Sequence, residues 1–203
     1  MRGIKDFIVS IPKKYSDTFK TESGIELYAD RRFSIKKVAN TIVEVVEVPF
    51  NYSGNIKKGS LLFIDSTVLM QQDYAIGGEQ ENINLLDKKN NLYKVEQCLI
   101  ILYQVNKDCK WMAFGDYFLA EKIQIKKEFL TSSLIIMLED SKPSFENNKC
   151  KVFIPNQYLI ENKIEKNNII FTSKNNGVDV IFMDKEYLWL RNRDAIASEP
   201  FFV

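Results

Sequence analysis

Histidine is missing from all 203 residues of the chain. Its absence removes the commonest acid/base near neutral pH and the commonest zinc ligand. Ser-His-Asp systems, Cys-His systems and histidine-based metal sites are therefore excluded. Cysteine is scarce: Cys98, Cys109 and Cys150 stand far apart with no CxxC pair, a pattern of reduced thiols rather than of a disulfide framework. Neither sign of charge prevails, with Lys+Arg 28 against Asp+Glu 27 and a formal net charge of +1. No global field concentrates nucleic acid or an anionic membrane, so neither is an expected partner. Long apolar runs are absent as well. Met1 to Pro12 is charged early and lacks an extended hydrophobic stretch, so neither a signal peptide nor a membrane helix is expected there, and a cytoplasmic location is.

What the chain does have is 45% hydrophobic residues. That is enough to bury a core in one large domain or in two of about 100 residues. Self-comparison favours two. At an offset of 110, DFIVSIPKKYSDTFKTESGIELYAD, starting at Asp6, aligns without a gap on DYFLAEKIQIKKEFLTSSLIIMLED, starting at Asp116. Further on, VVEVP at 45–49 lies against KVFIP at 151–155, and IKKGSLLFI at 56–64 against IEKNNIIFT at 164–172. The ends then pair LYKVEQCLII from Leu92 with LWLRNRDAIA from Leu188. The falling offset implies an insertion in the first copy, within Gln71 to Asn91, where Gly77-Gly78 marks a turn.

Short runs of Val, Ile, Leu, Phe and Tyr between Gly, Asn, Asp and Lys clusters read as strands and turns. They cover 7–11, 41–48, 60–64, 96–104, 117–125, 149–154, 168–172, 178–183 and 187–190, and no segment keeps helical periodicity over three turns. The expected fold is all-β, two tandem small barrels: residues 1–105, a linker at 106–110, and residues 111–203. The short charged linker keeps the barrels close neighbours. Basic pairs such as Lys36-Lys37 and Lys57-Lys58 read as solvated loop or edge charges.

The order of features in each copy resembles the GroES-type co-chaperonin family. The closing signature is clearest in the second copy, from Lys185-Glu186-Tyr187-Leu188 through Arg193-Asp194-Ala195-Ile196-Ala197. The turn is clearest in the first, in Ile56-Lys57-Lys58-Gly59-Ser60-Leu61-Leu62. The resemblance covers nearly the whole chain and implies GroES-like barrels that assemble into a ring capping a GroEL-type chaperonin. It further implies that a mobile loop between the first two strands grips the chaperonin with an apolar triplet. By position the triplets are Ile25-Glu26-Leu27, with Gly24 as hinge, and Ile135-Ile136-Met137. Glu26 departs from the wholly apolar pattern, and Leu134 stands where the first copy has Gly24, so the two loops are not equivalent. Read from the residues alone, Ile-Glu-Leu-Tyr equally fits an ordinary half-buried strand.

Three functions follow from these features. A tandem co-chaperonin, with no catalysis and no cofactor, is the first. A structural or adaptor protein, for example a phage virion component that keeps the barrels without chaperonin binding, is the second; the Lys/Asn/Ile-rich composition suits an AT-rich phage or bacterial genome. An enzyme is the third and is disfavoured, because no GxGxxG opens a helix and histidine is absent. The carboxylates Asp179 and Asp184, or Glu79 and Glu81, read as solvated loop and strand-end groups. A ring of tandem chains with every barrel used has an even number of barrels.

Overall fold

Apolar alternation becomes strand nearly everywhere it occurs, and the two α-helices bounded among the described residues are a single turn or little more. The computed structural model describes residues 3–20, 25–28, 36, 38–74, 80–125, 145–173 and 177–199. In the amino half these form β1 Phe7–Ser10, β2 Thr18–Lys20, β3 Glu26–Tyr28, β4 Ile42–Glu47 and β5 Leu61–Ile64, then α1 Thr67–Met70, β6 Gln72–Tyr74 and β7 Gln80–Asn82. β8 Leu85–Asp87, β9 Leu92–Val95, β10 Ile100–Gln104 and β11 Met112–Ala113 follow. The carboxyl half has β12 Tyr117–Gln124, β13 Phe145–Ile154, α2 Gln157–Glu161, β14 Ile169–Thr172, β15 Val178–Phe182, β16 Lys185–Arg191 and β17 Ala195–Glu199.

The fold is all-β, built on two antiparallel sheets. One has seven strands in the order β11-β10-β5-β4-β1-β9-β8, the other six in the order β15-β16-β12-β13-β14-β17. Reversed, and with β11 set aside, the first reads β8-β9-β1-β4-β5-β10, the same sequence of roles as the second. Residue pairings make the equivalence specific: Phe7 opposes Val95 as Phe118 opposes Leu190, and Val43 opposes Leu62 as Cys150 opposes Ile170. β5 and β14 correspond as the sequence match had them. Phe7 instead falls on Phe118, Val43 and Val45 on Cys150 and Val152, and Val95 on Leu190, each one residue away from the alignments of Asp6 with Asp116, of 45–49 with 151–155 and of Leu92 with Leu188. A slip of one exchanges the two faces of a strand. It escapes notice in the letters because both faces carry apolar residues.

Burial agrees with the paired register. Phe7, Val43, Val45, Leu62 and Val95 are core in the amino half, and Phe118, Cys150, Val152, Ile170 and Leu190 are core in the carboxyl half. The turn before β5 repeats before β14. Gly59 (φ 84°) and Asn167 (φ 76°) both adopt the left-handed conformation that Gly and Asn tolerate best. Each donates its N–H to the equivalent carbonyl, that of Val45 or Val152, at 2.8 Å.

Between β5 and β8 the amino half carries α1 and the β6–β7 hairpin, where the carboxyl half has only 173–177 between β14 and β15. The insertion thus starts just after β5, earlier than Gln71; Gly77 and Gly78 lie outside the described residues. Asn82 and Asn84 anchor it. Asn82 Nδ2 donates to the Val68 and Leu69 carbonyls at 3.0 and 2.9 Å, and Asn84 Nδ2 donates to the Val68 carbonyl at 3.0 Å. Val68 and Leu69 are thereby held in the core.

The halves share a third apolar cluster. Phe63, Ile101 and Leu102 from the outer face of β5 and β10 meet Leu119, Phe182 and Tyr187 of the carboxyl half. Phe63 and Phe182 are 1% and 3% exposed, with ring centroids 4.9 Å apart. Trp111 meets Phe182 edge-on at 5.3 Å. After the turn at 106–110, β11 does not enter the second sheet; it pairs with β10, Leu102 opposite Ala113. The division drawn at 111 therefore runs through this seam.

Candidate functional site

The segment between β1 and β4 springs from a pinned base. Ser16 N–H donates to the Val38 carbonyl at 2.7 Å and Asn40 N–H to the Lys14 carbonyl at 2.9 Å, closing a ladder around the Tyr15–Ala39 bridge. Side chains reinforce it, with Ser16 Oγ donating to Asn40 Oδ1 at 2.8 Å and Asn40 Nδ2 to the Lys13 carbonyl at 2.7 Å. The polar residues Lys13, Ser16 and Asn40 are what fix the loop's origin.

Beyond the base, β2 and β3 form a separate two-stranded hairpin, with Thr18 opposite Tyr28 and Lys20 opposite Glu26. Its outermost apolar side chains face solvent: Ile25 is 59% exposed, Leu27 45% and Tyr28 90%. Thr18 Oγ1 donates to Glu26 Oε1 at 2.6 Å. Glu26, the charge that interrupts the triplet, is thus engaged within the hairpin. Glu26 and Leu27 are strand residues, as the alternating pattern allowed, but strand residues that bury little. Tyr28 was not among the expected site residues; its position two residues after Glu26 puts it on the same side of the strand.

The corresponding segment of the carboxyl half leaves β12 and returns in β13, whose last described pair is Gln124 with Phe145. Ile135, Ile136 and Met137 lie outside the described residues, as does Gly24.

A cleft of about 420 Å³ opens where the base of the first loop meets the carboxyl half. Lys13, Ser16, Thr18 and Asn40 line one wall, and Ile181, Met183 and Asp184 the other. Met183 (φ 50°) and Asp184 (φ 63°) form the tight turn joining β15 to β16. This turn brings the second half against the origin of the first half's loop.

Asp179 and Asp184 occupy separate environments. Asp179 pairs with Lys122 at 2.7 Å, Asp184 sits in the hairpin turn, and Glu79 lies outside the described residues. Glu121 lies between Lys185 (2.8 Å) and Lys151 (3.3 Å). Partial burial pushes its pKa upward, but the hydrogen bonds and charges of the two lysines outweigh this and hold the carboxyl below its ordinary range. Among the described residues no group of three or more Cys, Asp or Glu is placed to hold a metal ion. No described helix is long and apolar enough to cross a membrane.

The feature that sequence reasoning missed is the seam. Phe63 and Phe182 meet there only through tertiary packing, which no local run of residues announces. Compared with known proteins, the chain matches no protein-family model and no curated protein.

Proposed function

We propose that the chain is a tandem co-chaperonin, a cytoplasmic, non-catalytic lid in which each half is a GroES-like barrel and the loop segments grip a GroEL-type chaperonin. The observation that carries this reading is the β2–β3 hairpin: an element on a pinned base that exposes Ile25 and Leu27 on one side and Tyr28 on the other. Such a surface gains by burial in an apolar groove, roughly 25 cal/mol per Å² removed from water, less the ordering of the segment. One hairpin binds modestly. Several on one multi-chain ring bind through effective concentration, which suits a lid that must also leave. The likeness of strand order in the two sheets supports duplicated units, and the insertion and the differing triplets support unequal grip.

Capture of the chain by a chaperonin in the presence of ATP tests the reading. Replacement of Ile25, Leu27, Ile135 and Ile136 by Ser is expected to abolish capture while far-UV circular dichroism stays unchanged. Equal retention of that variant refutes the loop assignment. Copurification with phage particles in the absence of chaperonin capture favours the structural or adaptor role instead.

A further inference from the structure

The last turn of a helix leaves its carbonyls without an intrahelical partner, and α1 is a single turn. Two of those carbonyls belong to Val68 and Leu69, which are 0% and 1% exposed. In such surroundings a donor must come from elsewhere, because leaving the group unpaired costs more than a made bond gains. Asn82 Nδ2 reaches both carbonyls from β7, and Asn84 Nδ2 adds a second donor to Val68. The Asn82 side chain is itself fixed, its Oδ1 accepting from the Asn84 N–H at 2.8 Å. A further donor to Leu69 comes from a distant part of the chain: the Tyr15 hydroxyl, at 3.1 Å.

Tyr15 is the residue that bridges to Ala39 at the base of the first loop. Both pack on the amino core, and the Ser16 and Asn40 amides close the base around them. The Leu69 carbonyl therefore joins two features that lie apart in sequence: the root of the β2–β3 hairpin, and the insertion between β5 and β8. The carboxyl half has no room for the same arrangement. Residues 173–177 are all that connect β14 to β15, too few for a helical turn followed by a hairpin. Its loop instead leaves a longer ladder, in which β12 and β13 stay paired out to Gln124 and Phe145.

We infer that the insertion is a clamp for the first loop: Asn82 holds the Leu69 carbonyl, the carbonyl holds Tyr15, and Tyr15 sets the direction in which the hairpin leaves the sheet. Tyr15 and Asn82 are positioning residues, acting through the base rather than by touching a partner. A hairpin held in one arrangement loses less freedom on docking, so the clamp raises affinity without adding a contact. This consequence for docking rests on the lid proposed above, whereas the clamp is a property of the chain alone. The unequal grip of the two halves then has a structural source, since the first loop is braced by a part that the second half lacks.

Site-resolved hydrogen exchange of the full chain tests the clamp. Ser16 and Asn40 amides are expected to open locally, ahead of the sheet, so their rates report the base and not global stability. Tyr15→Phe removes the hydroxyl and keeps the ring; it should speed both amides about fivefold, the effect of one lost hydrogen bond. Asn82→Ala, made in the insertion, should accelerate the same two amides, and the pair combined should fall short of the product of the separate factors, because both act through one carbonyl. Should Asn82→Ala fail to fold, Tyr15→Phe decides alone. A role confined to overall stability would speed only the slowest amides, such as Ile64 in β5, and leave Ser16 and Asn40 unchanged. That result, or factors that multiply in full, overturns the inference. For docking, the chain carrying Ile135→Ser and Ile136→Ser leaves the first loop to grip alone, and Tyr15→Phe should there weaken chaperonin capture in the presence of ATP about fivefold. Faster exchange with undiminished capture overturns the clamp's part in docking. No capture of the unsubstituted chain sinks the lid, and the exchange rates still decide the clamp.

Discussion

Phe182→Ala is the substitution that most directly asks whether the seam binds the halves into one cooperative unit. The ring is 3% exposed and touches Phe63 at 4.9 Å, Trp111 at 5.3 Å and Tyr187 at 6.3 Å between centroids. It belongs to the seam cluster and not to the core of the carboxyl half. Truncating a buried Phe costs about 3–5 kcal/mol, including lost aromatic contacts of about 0.5–1.5 kcal/mol each. With a urea slope near 2 kcal/mol per M, the transition that reports the seam should fall by roughly 2 M. The chain's two tryptophans, Trp111 and Trp189, both pack in this seam, so their fluorescence is the reporter, and far-UV circular dichroism follows the sheets. Wild type should show coincident transitions by both probes, and the variant should lose tryptophan signal first. Adding Phe63→Ala should cost less than its single effect, with a coupling of about 1 kcal/mol. Coincident transitions in Phe182→Ala, a shift under about 0.3 M, or strict additivity with Phe63→Ala refutes the reasoning, because each means that the rings do not act together.

Two further outcomes follow from single side chains. Burial pushes the Cys150 thiol up to about 12, whereas Cys98 and Cys109 are exposed; a thiol reagent near pH 8 should modify two cysteines promptly and the third at least ~10³-fold more slowly until the chain unfolds. Labelling of three at one rate would show that the carboxyl core is open. Glu121 is held ionised by Lys185 and Lys151, so its folded pKa lies below the unfolded one. Its stabilisation is complete above the ordinary carboxylate value of about 4.3 and is lost as pH falls through the lower folded value. Acid titration of stability should therefore be shallower in Glu121→Gln than in wild type below that pH, and identical slopes would show that the carboxylate contributes nothing.

Local chemistry made much of this architecture readable. Strands at Phe7, Ile42, Leu61 and Tyr117 followed from β-branched and aromatic runs, and the turn at Gly59 matched Asn167 through a shared need for positive φ. The register of β4 against β13 did not follow, because Val45 can be set on Lys151 or on Val152 with similar letters, and only hydrogen bonding to a neighbour chooses. The short strands β6, β7 and β11 carry too few residues for any period to show. Ile25 and Leu27 were legible as candidates by position, but the pinning of their base by Ser16 and Asn40 depends on residues on either side of the loop. The seam was least readable: Phe63 and Phe182 meet through tertiary packing, and nothing local marks either as other than ordinary core.

β11 sits in the first sheet but belongs covalently to the second half, joined by the turn at 106–110. A strand tethered so closely is present at its partner's edge at an effective concentration in the millimolar range, whatever the abundance of the protein. The amino sheet is thus shielded at that edge from the moment the next few residues leave the ribosome. Among the described residues β17 pairs with β14 alone, with no strand of the other half added beside it.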